Sequence, residues 1–188
     1  MTVDFPNKHF LINGEWVCSN TEIDLINPST GDVIAQVSEA NDEHVNDAVG
    51  VAKDTLENTW KNITARERST LLSKLGRLIE ENYDVLASLE ATDVGKPLRQ
   101  AQADVKALAR YMEFYAGAAD KLHGDTIPYL EDYTVYTLRE PHGVCAHIIP
   151  WNYPMQIIGR SVGAALATGN TCIPVSYTHL TLPTTKNV

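Results

Sequence analysis

The segment Ile148-Ile149-Pro150-Trp151-Asn152-Tyr153-Pro154 combines residue types suited to carbonyl chemistry. A fixed side-chain amide such as that of Asn152 donates hydrogen bonds to an oxygen that gains negative charge, which is the work of an oxyanion donor. The flanking prolines restrict the backbone, so the turn is stiff and Asn152 points in a defined direction. Trp151 offers a flat apolar wall to a ring-shaped ligand. On local physics alone a purely structural Asn is the commoner occupant of a Pro-bounded turn, and both readings stay open.

The other reactive side chains are scattered. Cys145 and His147 lie two apart and so share one face of a strand. The pair invites a Cys–His nucleophile reading, but both sit in a run that reads as buried core, and the core reading is preferred. Cys172 also reads as core, and Cys18 lies near a turn without a suggested role. The three cysteines fit neither a disulfide framework nor a zinc spacing, so a reducing, cytoplasmic setting is expected. His9, His44, His123 and His142 have no partner pattern and read as surface or turn residues.

The elements that must hold these residues follow from periodicity. Phe10-Leu11-Ile12, the turn Asn13-Gly14 and Glu15 to Cys18 read as a hairpin. Glu22 to Ile26 and Val33 to Val37 read as two more strands, around the turn cluster Asn27-Pro28-Ser29-Thr30-Gly31-Asp32. Val45, Ala48, Val49, Ala52 and Leu56 recur at helical spacing behind Asn41 as N-cap. Leu71, Leu72, Leu75, Leu78 and Ile79 form a second stripe, opened by the capping box of Thr64 and Glu67. A short helix over Asp84 to Thr92 should stop near Gly95 and Pro97. A long one, from about Arg99 to Leu122, should bury Val105, Leu108, Ala109, Met112, Tyr115 and Ala119 and stop at Gly124.

After it the period changes. Tyr133 to Leu138 alternates like an exposed strand. Gly143 to Ile149 is mostly apolar, as expected of a strand covered on both faces. Pro150 ends it, a helix covers about Met155 to Ala167, Gly169 closes that helix, and Thr171-Cys172-Ile173 begins another strand. This is the opening of a β–α–β crossover and predicts a parallel sheet, with the Pro-bounded turn at the carboxyl end of its first strand, where ligands of such sheets gather. No Gly-x-Gly-x-x-Gly fingerprint follows that strand.

Composition places limits on function. The chain has 188 residues, 44% hydrophobic and 21% charged, as in ordinary soluble domains. No apolar run is long enough to span a membrane. Met1 to Pro6 has no basic start followed by an apolar run, so no signal peptide is expected. The net charge of −9 falls in the first sixty residues, which hold eleven acids against Lys8 and Lys53, and the remainder is neutral. A basic stripe for nucleic acid is missing, and the acidic third reads as a solvated face.

Several ordered motifs carry a resemblance. They are Ile12-Asn13-Gly14-Glu15-Trp16-Val17, Ile26-Asn27-Pro28-Ser29-Thr30-Gly31, Asp93-Val94-Gly95-Lys96-Pro97, Tyr115-Ala116-Gly117 and Arg139-Glu140-Pro141-His142-Gly143-Val144. Pro150-Trp151-Asn152-Tyr153-Pro154 and Ala164-Ala165-Leu166-Ala167-Thr168-Gly169-Asn170-Thr171 complete the series. In this order they resemble the N-terminal part of the NAD(P)-dependent aldehyde dehydrogenases.

The resemblance implies an α/β fold: residues 1–173 would be the N-terminal part of an incomplete, doubly wound Rossmann-like cofactor domain, with a β oligomerisation arm near 133–140. It implies oxidation of an aldehyde to a carboxylic acid with NAD or NADP, through a cysteine nucleophile and a glutamate base. Asn152 matches the family's oxyanion asparagine, and Ile148, Ile149, Pro150 and Trp151 match the stretch lining the cofactor. Asp93, with backbone carbonyls near Leu25 and Ile26, matches an alkali-cation position. The expected partners are a small aldehyde and further copies of the chain in a homodimer or homotetramer, with neither nucleic acid nor membrane. None of the three cysteines matches the nucleophile, and the base has no match, so this chain alone is expected to be inactive. A non-catalytic fragment or interaction module pairing through the exposed arm strand is the alternative.

The resemblance lapses after Ile173. The family's Lys-Pro-Ser/Ala-Glu motif is replaced by Pro174-Val175-Ser176-Tyr177-Thr178-His179-Leu180-Thr181-Leu182-Pro183-Thr184. Val175 to Thr184 resembles a widely used transposase sequencing adaptor read in one frame. Residues 174–188 are therefore expected to be a non-native tail.

Overall fold

Backbone chemistry sets the first elements. In the computed structural model, which describes residues 9–176, β1 (Phe10–Ile12) and β2 (Glu15–Val17) form an antiparallel hairpin. Its turn has Asn13 at φ 54° and Gly14 at φ 77°, the double left-handed geometry of a tight hairpin. β3 (Glu22–Ile26) and β4 (Val33–Ser38) form a second antiparallel pair, with a register shift between Leu25 and Ile26. Residues 1–8 and 177–188, including the segment read for a signal peptide and most of the expected foreign tail, lie outside the described residues.

Five α-helices follow among the described residues, and two have reciprocal caps. In α1 (Asp42–Asn58) the Asn41 side chain accepts from the His44 amide, while His44 Nδ1 accepts from the Asn41 amide at 3.2 Å. Without a partner pattern in the sequence, His44 is nonetheless a capping residue, because an imidazole nitrogen at the third helical position reaches the same donor that Glu or Gln usually takes. His9 likewise has a neighbour, with Nδ1 3.3 Å from Ser38 Oγ. In α2 (Ala65–Glu81) Thr64 and Glu67 form the expected box, with the Thr64 amide donating to Glu67 Oε2 at 2.8 Å. These bonds hold the Glu67 carboxyl below its ordinary range.

α3 (Tyr83–Val94) ends on Gly95 at φ 73°, and α4 (Leu98–Ala118) starts after Pro97. The core lies where α4 meets α2, α3 and α5 (Pro154–Ala167). Leu72 and Ile79 of α2 and Val105, Ala109, Met112 and Ala116 of α4 are buried in it. Each large apolar side chain so buried contributes roughly 1.5–3 kcal/mol. Alanine and glycine let the helices approach: Gly159 and Gly163 of α5 sit against Tyr111 and Tyr115 of α4.

Three expectations are corrected. The long helix stops at Ala118, not near Leu122, and Gly124 does not cap it. Gly124 instead passes Thr137, where a Cβ would collide with the Thr137 carbonyl oxygen. The strand read over Tyr133 to Leu138 shrinks to β6 (Val135–Tyr136), because its antiparallel partner β5 (Thr126–Ile127) is only two residues long. β7 (Val144–Ile149) is not covered on both faces: Ala146 and Ile148 are exposed.

The β–α–β crossover is present. β7 pairs in parallel with β8 (Thr171–Ser176) through α5, with Cys145 opposite Cys172 and Ile149 opposite Ser176. The Thr171 hydroxyl donates to the Ala52 carbonyl of α1 at 3.0 Å, so α1 covers the face of Val144 and Thr171. Ile148, farther along the same face of β7, is exposed. Strand alternation turns Cys145, His147 and Ile149 to the opposite face.

Candidate functional site

The site is the turn from β7 into α5. β7 delivers Ile149 into the interior at 4% exposure, anchoring the strand end, while Ile148 beside it is 43% exposed. Pro150 ends the strand, and Trp151, Asn152 and Tyr153 form an exposed turn before Pro154 opens α5. Pro at the first helical position has no amide to leave unsatisfied. Trp151 is 56% exposed. The Asn152 side chain is exposed and makes no hydrogen bond among the described residues.

Of the sequence-predicted residues, the structure brings Ile148, Pro150, Trp151 and Asn152 to one strand end and buries Ile149 beneath them. Asp93 lies elsewhere, at the end of α3. There a Cβ on Gly95 would lie 2.5 Å from Pro28 Cγ, two residues past Ile26. Asp93 is exposed as a residue, yet crowding of its carboxyl by protein pushes its pKa up. Among the described residues no group of three or more His, Cys, Asp or Glu is placed to hold a metal ion.

The cysteines are unpaired thiols. Burial, with Cys145 beside it, pushes Cys172 up to about 12, so its thiol stays protonated near neutral pH. His147 Nε2 is buried with no partner among the described residues, and burial lowers its pKa. It forms no hydrogen bond with Cys145, which removes the geometry a Cys–His nucleophile requires.

Two motifs that served only as markers in the sequence have structural work. Asn170, buried, accepts from the Gly143 amide at 2.9 Å and donates to Thr168 Oγ1 at 2.7 Å and to the Ala165 carbonyl at 3.2 Å. It locks the start of β7 to the end of α5, and Gly169 at φ 89° makes the turn between them. Lys96 is the second. Its ammonium bonds Glu90 Oε1 at 3.1 Å and Asp104 Oδ2 at 2.7 Å, and lies 4.4 Å from the Tyr153 ring centroid. Asp104 Oδ1 accepts from Gln156 Nε2 at 2.6 Å. Sequence reasoning missed this cluster because its members come from α3, the loop after it, α4 and α5. The one signal was a lysine set between Gly95 and Pro97.

Burial pushes the Glu90 carboxyl up, against the pull of Lys96. Lys96 is lowered by burial but raised further by its two carboxylates, and stands above the ordinary lysine value.

The geometry is that of a parallel β–α–β unit with a short, exposed turn between two prolines. The family model "Aldehyde dehydrogenase family" matches residues 16–182. The mitochondrial aldehyde dehydrogenase family 2 member B4 of Arabidopsis thaliana is 43% identical over 176 residues, covering 92% of this chain and 33% of that protein. The NAD+ complex of aldehyde dehydrogenase from Bacillus cereus is 42% identical with a TM-score of 0.87, covering 89% of this chain and 35% of that one. The NADP-dependent enzyme of E. coli is 36% identical with a TM-score of 0.86, over 89% and 35%. This chain thus spans about a third of the length of the relatives it matches. Its mixed α/β architecture is a partial aldehyde dehydrogenase fold, and the chain belongs to the aldehyde dehydrogenase family.

Proposed function

We propose that the protein to which this chain contributes oxidises an aldehyde to a carboxylic acid with NAD+ or NADP+, and that Asn152 donates its side-chain amide to the aldehyde oxygen as that oxygen gains negative charge. One observation carries the reading. Asn152 is exposed at the carboxyl end of β7, between two prolines, with no internal hydrogen bond among the described residues. A parallel strand end is where a nucleotide settles in α/β sheets, and exposed Ile148 and Trp151 give it an apolar surface. The residues present therefore fit the nicotinamide side of a dinucleotide, whose chemistry when bound is to accept a hydride. Ile148, Pro150 and Trp151 orient it, Ile149 holds the strand end, and Asn152 orients and polarises the aldehyde.

The cysteine nucleophile and glutamate base of the family match no residue of this chain, and Cys172 is held as a thiol. The chain by itself is then a non-catalytic piece. Asp93 and the carbonyls near Leu25 and Ile26 would hold an alkali cation in a structural role. Three free cysteines suit a reducing, cytoplasmic setting. Residues 174–188 are proposed to be non-native, which resequencing the source locus across codon 174 checks; genomic DNA encoding them would refute it.

The test is Asn152→Ala in the full-length gene product. Removing one oxyanion donor lowers kcat by about 10²–10³. An unchanged kcat would overturn the role of Asn152. Reduction of NAD+ by the purified 188-residue chain with an aldehyde would overturn its inactivity.

A second reading rests on the β5–β6 ribbon, where Tyr129, Tyr133, Tyr136 and Leu138 are exposed. Such an edge pairs with another chain, as an oligomerisation arm would. Tyr136→Pro removes its pairing, and size-exclusion chromatography of both forms tests it. A monomer in both cases would remove the interaction reading.

A further inference from the structure

The turn that presents Asn152 is reached from behind by buried charges. Lys96 sits between a left-handed Gly95 and Pro97, so its backbone has little freedom. Its side chain is 7% exposed, and those of its partners Glu90 and Asp104 are 1% and 4%. From this hub two contacts run to Tyr153, the residue after Asn152, and to Gln156, four residues along. The ammonium lies on the Tyr153 ring, and Asp104 holds Gln156 in the first turn of α5.

Apolar packing would hold α3 and α4 together at least as well. Taking three charges out of water costs more than their mutual attraction readily returns, so such a cluster is a poor stabiliser of a fold. What charged and hydrogen-bonded groups add is direction. Each bond here fixes a distance and an angle between α3, α4 and the start of α5, and the chain between β7 and α5 is only four residues long. Pro150 and Pro154 make that short segment stiff, so a displacement of Tyr153 or Gln156 is passed to Asn152 rather than absorbed.

We propose that Lys96 is a positioning residue: through Tyr153 and the Asp104–Gln156 bond it sets the direction in which the turn presents the Asn152 amide. The inference rests on the oxyanion reading of Asn152 for its meaning in catalysis, but its test reads geometry alone.

The experiment is heteronuclear NMR on the 15N-labelled 188-residue chain, following the Asn152 side-chain amide and the Trp151 indole N–H. Two variants are compared with wild type. Gln156→Met cuts the tie to α5 and leaves Lys96 with both carboxylates. Lys96→Met removes the hub. If the network sets a turn that otherwise samples other orientations, both probes move along one line in the order wild type, Gln156→Met, Lys96→Met. A purely structural role moves the melting temperature while leaving the probes in place or scattering them in unrelated directions, and that result overturns the proposal. Should Lys96→Met fail to fold, Gln156→Met decides. Displaced probes with intact helical circular dichroism support the proposal, whereas unmoved probes, or unfolding of Gln156→Met itself, overturn it. Because no turnover is read, such a failure leaves the aldehyde oxidation reading standing, and an inert Asn152→Ala enzyme leaves this geometry standing.

Discussion

Lys96 Nζ lies 2.7 Å from Asp104 Oδ2, with both side chains almost wholly buried. A second carboxylate, Glu90, shares the same ammonium. Removing the lysine leaves two buried carboxylates facing one another without a counter-charge. Breaking such an arrangement destabilises by about 3–5 kcal/mol. Lys96→Met is therefore expected to lower the urea midpoint far more than Arg110→Ala. The Arg110–Glu113 pair is 2.9 Å apart but 79% and 49% exposed, and a pair of that kind contributes about 0–1 kcal/mol. Equal losses from the two variants would contradict the burial of the Lys96 cluster.

Glu90 makes a distinct pH signature. Burial raises its folded pKa above the ordinary 4.5. Between 4.5 and the raised value, the native state holds a proton that the unfolded chain has released. The contribution of Glu90 to stability is thus fully present below pH 4.5 and is lost as pH rises through that window. Lys96, also raised, keeps its contribution until pH exceeds the ordinary lysine value of 10.5. Glu90→Gln removes the acidic-side dependence. The stability of wild type minus that of the variant, measured in urea at several pH values, should fall as pH rises from 4.5. A difference that grows with pH would show that attraction to Lys96 outweighs desolvation.

The parts of the fold written in local chemistry were legible. Asn13-Gly14 can only turn tightly, Thr64 and Glu67 satisfy each other's amides, and the Pro-bounded turn after an apolar run marks a strand end. What depends on distant partners was not. Gly124 looked like a helix stop because a glycine after a helix usually is one, but its reason is the backbone of Thr137. The alternation of Tyr133 to Leu138 says nothing about how long its partner is, and β5 is two residues long. At the site, Asn152 was visible because its neighbours in sequence restrict it. Lys96 was not, because the carboxylates, the tyrosine and the glutamine around it meet only in three dimensions.

Gly95 combines two constraints that a single control can separate. Its φ of 73° is left-handed, and a Cβ there would lie 2.5 Å from Pro28 Cγ. Gly31 has a similar φ of 79° with nothing within 4 Å. Gly31→Ala should lose only the conformational share, about 1–2 kcal/mol. Gly95→Ala should lose that plus an overpacking share of about 1–3 kcal/mol, because a proline ring in a tight turn has little room to retreat. Urea denaturation of the two variants checks the order. If Gly31→Ala is the more destabilised, the contact between the α3 end and the turn after β3 is not tight.

Thiol reactivity reports on β8. Cys172 lies opposite Cys145 on the parallel pair, and burial pushes its pKa up to about 12. Nucleophilic attack by a thiol goes through its thiolate, so at pH 8 the folded chain offers almost none at this position. Cys18, exposed after β2, has no such protection from solvent. Brief alkylation with iodoacetamide, read by peptide mass spectrometry, should modify Cys18 first and Cys172 last. Adding denaturant should bring the rates together, since the difference belongs to the folded state. Rapid native modification of Cys172 would mean that β8 leaves its place beside β7.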